Sequence, residues 1–216
     1  MLDDLLAREN IVHVGAFLYL AGFLCRSQLM LRAFIVAGDI VYMLYFYFAP
    51  AMPLWGGIFW SLVFTLANLG MIGRILSDRS TYGMSADDRA LHGLLDALTP
   101  GEFRRLMRGG RWNRAEEAVT LTLEGQPLHR LAYVIDGTVT IEKGTHVFTL
   151  APPTFIGEVA FLIDRPASAT VTLGAGTRYV TWDTAELRRL LVRSPALRIG
   201  LGAAFNRDMA AKVARA

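Results

Sequence analysis

One stretch of the sequence, from Gly157 to Val171, combines residue types that could bind a small anion. An apolar turn opened by Gly157 and Glu158 leads into a short linker, which ends in Pro166, three small residues and a β-branched strand start. A short helix has free N–H groups at its N-terminus, and small side chains let the backbone approach a ligand closely. Glu158 could also accept hydrogen bonds from a sugar diol. The stretch therefore predicts a site for an anionic small molecule.

Short strands and turns surround this stretch and would hold it in place. From Val119 to Leu123 apolar and polar residues alternate, which is typical of a half-buried strand. Asp136-Gly137 is a hairpin signal, and Pro152-Pro153 interrupts the alternation just before the stretch. Short strands with closely spaced turns predict a small barrel or jelly roll.

Helices are predicted on both sides of this roll. Ser85 is a candidate N-cap, and Thr99 with Glu102 forms a capping box at the start of a second helix. The last helix carries one broad apolar face made by Leu197, Leu201, Phe205, Met209 and Val213.

The stretch resembles the phosphate-binding cassette of cyclic-nucleotide-binding domains, whose pattern runs roughly G-E-[LIV]-A-[LF]-[LI]-x-x-x-P-R-[AST]-A-[ST]-V. We call residues 157–171 the cassette. A Tyr-x-Ile-x-Gly piece at Tyr133, Ile135 and Gly137 also fits the family, so the resemblance covers about residues 85–214. The residues that match the cassette pattern are Gly157, Glu158, Ala160, Phe161, Leu162, Pro166, Ser168, Ala169, Thr170 and Val171.

The resemblance implies a ligand, cyclic AMP or cyclic GMP, and no other cofactor. In the family, the residue matching Glu158 contacts the ribose 2′-hydroxyl, and backbone N–H groups after the short helix bind the phosphate. The family's phosphate-binding Arg is replaced by Ala167, and the nearest arginine is Arg165. A lost guanidinium contact is typically worth about 1.5–3 kcal/mol. The candidate ligand-binding residues are Gly157, Glu158, Val159, Ala160, Arg165, Ala167, Ser168, Ala169 and Thr170.

The first third of the chain is much more apolar than the rest. Hydrophobic residues make up 53% of the sequence, and the excess lies before Arg74. Three apolar segments, 11–25, 33–48 and 54–76, each approach the roughly 20 residues needed to span a bilayer. We therefore predict an α + β chain with three transmembrane helices followed by a cyclic-nucleotide-binding-like β-roll (a double-stranded β-helix) with flanking helices. A buried helical hairpin in a soluble protein is the alternative.

Charge predicts the orientation of these segments in a cell membrane. Arg26 and Arg32 flank the first loop, Arg74 and Arg79 follow the third segment, and the loop 49–53 has no charge. The positive-inside rule then places the first loop and the C-terminal domain in the cytoplasm and the N-terminus outside. The predicted domains are a transmembrane domain 1–76, a juxtamembrane linker 77–84 and a cytoplasmic domain 85–216.

Two polar residues, Asp39 and Asn68, are predicted inside the membrane. A bare carboxylate at that depth is costly, so Asp39 is either protonated or hydrogen-bonded to Asn68, or else it serves in a proton or ion relay. A protonated or hydrogen-bonded Asp39 is favoured over a relay, because no second charged residue is predicted at that depth.

The domain order is similar to that of Popeye-domain proteins, which have three spans and a cytoplasmic domain that binds cyclic AMP. Those proteins are dimers without known catalysis, and they also lack the usual cassette Arg. The resemblance implies a homodimer. No helix-turn-helix, kinase or pore segment follows the roll in this sequence, so we expect its signal to pass through the membrane helices or a membrane-protein partner.

Several function classes are disfavoured. The net charge is +3 and no Lys/Arg run follows a nucleic-acid backbone, so nucleic acid is not an expected partner. Cys25 is the single cysteine, which excludes an intrachain disulfide and a cysteine-based metal site. No Ser/His/Asp grouping or metal-ligand set has workable spacing, so we predict no enzyme and no bound metal. The leading hypothesis is a membrane-anchored signalling sensor. A nucleotide-independent scaffold and a proton-conducting subunit built on Asp39 are the alternatives.

Overall fold

The computed structural model describes residues 10–215. The N-terminus, which was predicted to lie outside the cell, is not among the described residues. The chain divides into two compact units, Met1–Arg79 and Ser80–Ala216. Each unit is described by itself below.

The N-terminal unit consists of three helices, in which α1 packs against α2 and α2 packs against α3. Two of them, α2 with 21 residues and α3 with 25, are long and apolar enough to cross a bilayer. Helix α1 has only 14 residues, and at about 1.5 Å per residue it is shorter than a hydrocarbon core of about 30 Å. The prediction of three spanning helices is therefore wrong for the described residues, and the Popeye resemblance loses that support. The helices are α1 (Ile11–Leu24), α2 (Gln28–Phe48) and α3 (Trp55–Arg79).

Helices α1 and α2 approach closely where Gly38 meets Tyr19. A Cβ atom added at Gly38 would lie 2.6 Å from Cε1 of Tyr19, which is closer than packed carbon atoms approach. The Tyr19 hydroxyl donates to Oδ1 of Asp39, the next residue of α2. The absence of a side chain at Gly38 thus leaves space for the Tyr19 ring beside α2, where its hydroxyl contacts the carboxylate.

Asp39 is buried, but its partners differ from the predicted one. Its Oδ1 accepts from Tyr19, and its Oδ2 accepts from the Thr65 hydroxyl at 3.4 Å. Asn68 instead accepts from Nη1 of Arg32 at 3.0 Å and donates to the backbone of its own helix. The predicted Asp39–Asn68 hydrogen bond is wrong, because Thr65, one turn earlier on α3, is the residue that faces Asp39.

The C-terminal unit contains all the strands and five helices of the described chain. The predicted caps are confirmed: the Ser85 hydroxyl accepts from Asp88 N–H, and Thr99 and Glu102 form the capping box. Helix α3 runs to Arg79, so the first residues of the predicted linker 77–84 are helical. The elements are α4 (Ala86–Leu94), α5 (Pro100–Met107), β1 (Gly110–Arg114), β2 (Val119–Thr122), β3 (Arg130–Asp136), β4 (Val139–Lys143), β5 (His146–Leu150), β6 (Thr154–Ile156), α6 (Glu158–Ile163), β7 (Thr170–Leu173), β8 (Arg178–Asp183), α7 (Thr184–Arg193) and α8 (Pro195–Arg215).

The strands form two antiparallel four-stranded sheets, in the orders β1-β8-β3-β6 and β2-β7-β4-β5. The short strand β6 is an edge strand that pairs with β3 and leads directly into α6. One hydrophobic cluster fills the space between the sheets, around Val134, Val139 and Leu173. A second joins the first sheet to the helices, where Trp182 donates its indole N–H to the carbonyl of Leu106 at 3.1 Å. These two cores fix the roll on which the cassette is mounted.

Candidate ligand-binding site

A cavity of about 520 Å³ opens beside the cassette, and we call it the cassette cavity. Its walls come from strands β2, β4 and β5, from the β6–α6 junction, from the start of β7 and from the end of α8. The volume lies within the range of about 300–1,000 Å³ that small-molecule sites occupy. Seven of the nine predicted site residues line it, namely Gly157, Glu158, Val159, Ala160, Ala167, Ser168 and Ala169.

The turn from β6 into α6 depends on Gly157, whose φ is +88°. A side chain is strained in this left-handed conformation, and a Cβ here would also lie 2.7 Å from Cδ1 of Leu128. Glycine therefore allows the chain to turn from β6 into α6 at this position, directly before the buried Glu158. Helix α6 ends at Ile163, and its C-cap residue Asp164 has φ +52°.

Arg188 of α7 holds the other end of α6. Its Nη2 donates to the carbonyl of Phe161 at 2.6 Å and to Oδ1 of Asp164 at 2.8 Å, and its guanidinium lies 4.5 Å from the centre of the Phe161 ring. No sequence pattern pointed to Arg188. The only local signal at Arg188 is its half-buried position on an amphipathic helix, which does not reveal a contact with α6.

Glu158 is buried and already has a partner within the protein. Its side chain is 6% exposed, and Oε1 accepts from Nζ of Lys212 on α8 at 2.6 Å. The same ammonium donates to Oδ2 of Asp208 at 2.8 Å and to the carbonyl of Phe155 at 2.7 Å. We call Glu158, Asp208 and Lys212 the Lys212 cluster. Buried charges persist when they are paired and hydrogen-bonded in this way.

Asp208 connects the cluster to strand β6. Its Oδ2 accepts from the backbone N–H of Phe155 at 3.1 Å and from the Thr154 hydroxyl at 3.4 Å. The negative charge of Asp208 also acts on Tyr133 of strand β3. Burial, followed by the negative charge of Asp208, raises the pKa of Tyr133 to about 12.

Ala167, which stands where the family carries its Arg, is buried and its backbone is occupied. Its N–H donates to the carbonyl of Gln126 at 2.9 Å, and its own carbonyl accepts from Gly125 N–H at 2.8 Å. The cassette is thereby joined to the turn after β2, and this residue's N–H is not available to a ligand.

The two remaining predicted residues, Arg165 and Thr170, do not line the cassette cavity. Arg165 is exposed and lines a separate cavity of about 260 Å³, together with Pro166 and Arg188. The Thr170 hydroxyl accepts from Glu124 N–H at 3.0 Å, so it stabilises the loop. The structure does not bring Arg165 to the side of the cassette where a ligand would meet Glu158.

Three charged residues of the site were missed by sequence reasoning: Lys143, Asp208 and Lys212. Lys143 and Lys212 both line the cassette cavity. One signal was present, because these are the only two lysines in a chain that otherwise uses arginine. These residues lie outside the cassette in the sequence, so no local pattern indicated that they line the same cavity. Among residues 10–215, no cluster of His, Cys, Asp and Glu is arranged to hold a metal ion.

Comparison with known proteins settles the fold. No family model matches the chain. The crystal structure of a cyclic nucleotide-binding domain from Methylobacillus flagellatus superposes with a TM-score of 0.51 and 20% identity, over 59% of this chain and 80% of that one. The C-terminal unit has the cyclic nucleotide-binding domain fold. The predicted α + β roll with flanking helices is thus confirmed.

Two curated relatives match roughly half of the chain. A cyclic nucleotide-gated potassium channel of Mesorhizobium japonicum is 26% identical over 104 residues, which are 48% of this chain and 29% of the channel. The regulatory subunit of a cAMP-dependent protein kinase from Dictyostelium discoideum is 30% identical over 106 residues, or 45% of this chain and 29% of the subunit. The match therefore spans less than a third of either relative's length.

Proposed function

We propose that this protein is a non-enzymatic sensor that binds a cyclic nucleotide, or a related anionic small molecule, in the cassette cavity. The observation that carries the proposal is the open cavity of about 520 Å³ with the buried carboxylate of Glu158 in its wall. Had side chains of the protein filled this space, no ligand could enter. The fold adds support, since two proteins with matching sequences are named for cyclic nucleotides.

Glu158 is the residue proposed to recognise the sugar. A carboxylate that is largely removed from water forms strong hydrogen bonds with hydroxyl donors. Ser168 and Ala169 also line the cavity and have small side chains, so a ligand could approach their backbone. The family's guanidinium contact is absent at Ala167, and by that loss alone affinity would fall roughly tenfold to over a hundredfold.

Helices α2 and α3 are proposed to anchor the sensor in a membrane. Both are of spanning length, and only 11% of each apolar window is buried within the structure. The exposed side chains include Phe59, Phe64 and Leu66 on α3. Exposed apolar surface on this scale is stable in lipid and unfavourable in water. The arginines before α2 and at the end of α3 support a cytoplasmic roll.

Calorimetric titration of the full chain in detergent micelles tests the ligand. We expect heat of binding with cyclic AMP or cyclic GMP, and no heat at about 1 mM of either would overturn the proposal. Glu158→Gln should weaken binding by about tenfold. The 2′-deoxy analogue of the ligand should bind wild type and Glu158→Gln with similar affinity, because it lacks the hydroxyl that Glu158 is proposed to accept.

A second candidate function, a nucleotide-independent membrane scaffold, is favoured by one observation. Glu158, Asp208 and Lys212 satisfy one another without any ligand. If titration gives no binding and Glu158→Gln still captures the same membrane-protein partner as wild type, the scaffold is the better description.

A further inference from the structure

The positive charges around the cassette cavity come from lysines, although the chain is rich in arginine. Lys143 and Lys212 are the only two lysines of the chain, and both line this cavity. No arginine lines it among the residues that the structure describes. An anion bound here would therefore meet ammonium groups, although the chain carries nearly all of its positive charge on guanidinium groups.

The ammonium of Lys212 lies inside the cavity wall. The Lys212 side chain is 23% exposed, and its three contacts to Glu158, Asp208 and the Phe155 carbonyl match the three N–H donors of an ammonium. The Lys212 cluster as a whole carries one negative charge, and Lys143, exposed at the rim, adds one positive charge. The wall is therefore neutral overall, and it need not repel a ligand with a single negative charge.

We propose that Lys212 is the residue that selects an anionic ligand in place of the family's cassette Arg. The ligand would enter between Lys212 and Glu158, so that its hydroxyl groups donate to Glu158 and its anionic oxygens accept from Lys212. Asp208 and the Phe155 carbonyl keep the other two N–H donors and hold the ammonium in position. Lys143 adds attraction at the rim.

This inference rests on the proposed function and specifies its ligand class. The ligand must carry a hydroxyl donor and a singly charged phosphate-like group close together, because it replaces both sides of one ion pair. A nucleoside has the sugar hydroxyl without the anion, and inorganic phosphate has the anion without the sugar hydroxyl. Each should bind more weakly than a cyclic nucleotide.

The test compares Lys212→Met with wild type, using the full chain in detergent micelles titrated with cyclic AMP, cyclic GMP and adenosine. We expect Lys212→Met to weaken cyclic nucleotide binding at least about tenfold, and Lys212→Arg to stay within about fivefold of wild type. Adenosine affinity should change less than about threefold, since adenosine has no group for Lys212 to bind.

The matched control is Arg207→Met, which removes a positive charge from the same helix. Arg207 pairs with Asp96 at an exposed position and does not line the cavity. We expect less than about twofold change in cyclic nucleotide affinity. Lys143→Met should weaken binding by about threefold, because its ammonium lies at the solvent-exposed rim.

The outcomes separate the inference from the proposed function. If wild type binds no cyclic nucleotide, the proposed function fails. If wild type binds and Lys212→Met binds equally well or more tightly, or loses adenosine as strongly as the cyclic nucleotide, the inference is overturned while the sensor proposal stands. If Lys212→Met does not fold, the charge-balanced variant Asp208→Asn/Lys212→Met is compared with Asp208→Asn, and the same tenfold loss is expected.

Discussion

Asp208 joins strand β6 to Lys212 in the wall of the cassette cavity. It accepts from the Phe155 backbone, from the Thr154 hydroxyl and from Lys212, and its side chain is 11% exposed. When such an acceptor is removed, the donors that it served are left unpaired in a region from which water is excluded. The position of Lys212, and through it of Glu158, therefore follows from Asp208.

We predict that Asp208→Ala destabilises the folded protein by about 1–3 kcal/mol, because buried donors lose their acceptor. Thermal unfolding of the full chain in detergent measures the effect. Arg207→Ala, which breaks the exposed pair with Asp96 on the same helix, should cost less than about 1 kcal/mol. Equal losses in the two variants would contradict this account of Asp208.

We predict that Tyr133 makes the stability of the C-terminal unit sensitive to alkaline pH. Its pKa is raised to about 12 by burial and by the Asp208 charge, whereas an unfolded tyrosine titrates near about 10. Between these values the folded state keeps the Tyr133 proton that the unfolded state releases. The contribution of Tyr133 to the free energy of unfolding is therefore complete below about pH 10, and it falls as pH rises towards about 12. Urea unfolding at about pH 9 and 11 should show a smaller loss for Tyr133→Phe than for wild type. The same loss in both proteins would exclude Tyr133 as the cause.

At the scale of elements, the contact between α1 and α2 is set by small residues and by one buried carboxylate. Gly38 leaves space for the Tyr19 ring, which in turn reaches Asp39. In lipid, close backbone approach and interhelical hydrogen bonds hold helices together, because apolar surface alone gives no preference for a partner helix over lipid tails.

We predict that Gly38→Ala weakens the α1–α2 contact, because the new methyl group would overlap the Tyr19 ring at 2.6 Å. Overpacking of this kind costs about 1–3 kcal/mol. The matched control is Gly70→Ala on α3, where an added Cβ meets nothing within 4 Å. Helical circular dichroism during titration with sodium dodecyl sulfate should show an earlier transition for Gly38→Ala only. A transition unchanged from wild type would mean that α1 shifts without loss.

For the whole molecule, the proposed arrangement in a membrane rests on two helices of spanning length. Their polar, arginine-bearing ends flank one side, and the uncharged loop 49–53 joins them on the other. Aromatic side chains meet near this loop, where the rings of Tyr47 and Trp55 lie 6.3 Å apart. The homodimer stays a prediction, which light scattering of the detergent-solubilised chain would test.

Because Cys25 is the only cysteine, single thiols can report this arrangement. In a Cys25→Ser background, we expect Ala51→Cys to react with a membrane-impermeant maleimide in intact spheroplasts. Ser27→Cys should react only after permeabilisation, as the positive-inside rule requires. Both positions are exposed in the structure. Labelling of Ser27→Cys from outside would reverse the proposed orientation.

Local sequence signals predicted the parts of the fold that local physics determines. The capping box at Thr99 depends on neighbours a few residues apart, and it is present. The predicted strand alternation holds from Val119 to Leu121 only, because the register shifts between Thr120 and Thr122, so that Thr122 is buried and Leu123 is exposed. The contact of Glu158 with Lys212 joins residues far apart in sequence, and it exists because α8 lies across β6. The residue of α3 that bonds to Asp39, Thr65 and not Asn68, depends on which face of α3 packs against α2. Composition does not specify that face.

The contacts of Phe155 have one more consequence, which concerns solubility. Strand β6 lies at the border of its sheet, and α8 occupies its outward-facing backbone: Asp208 accepts the N–H of Phe155, and Lys212 donates to its carbonyl. Unpaired strand borders recruit foreign strands and promote aggregation. Two helix side chains here take the place of a missing neighbouring strand, so a chain with both of them replaced should self-associate even if it still folds.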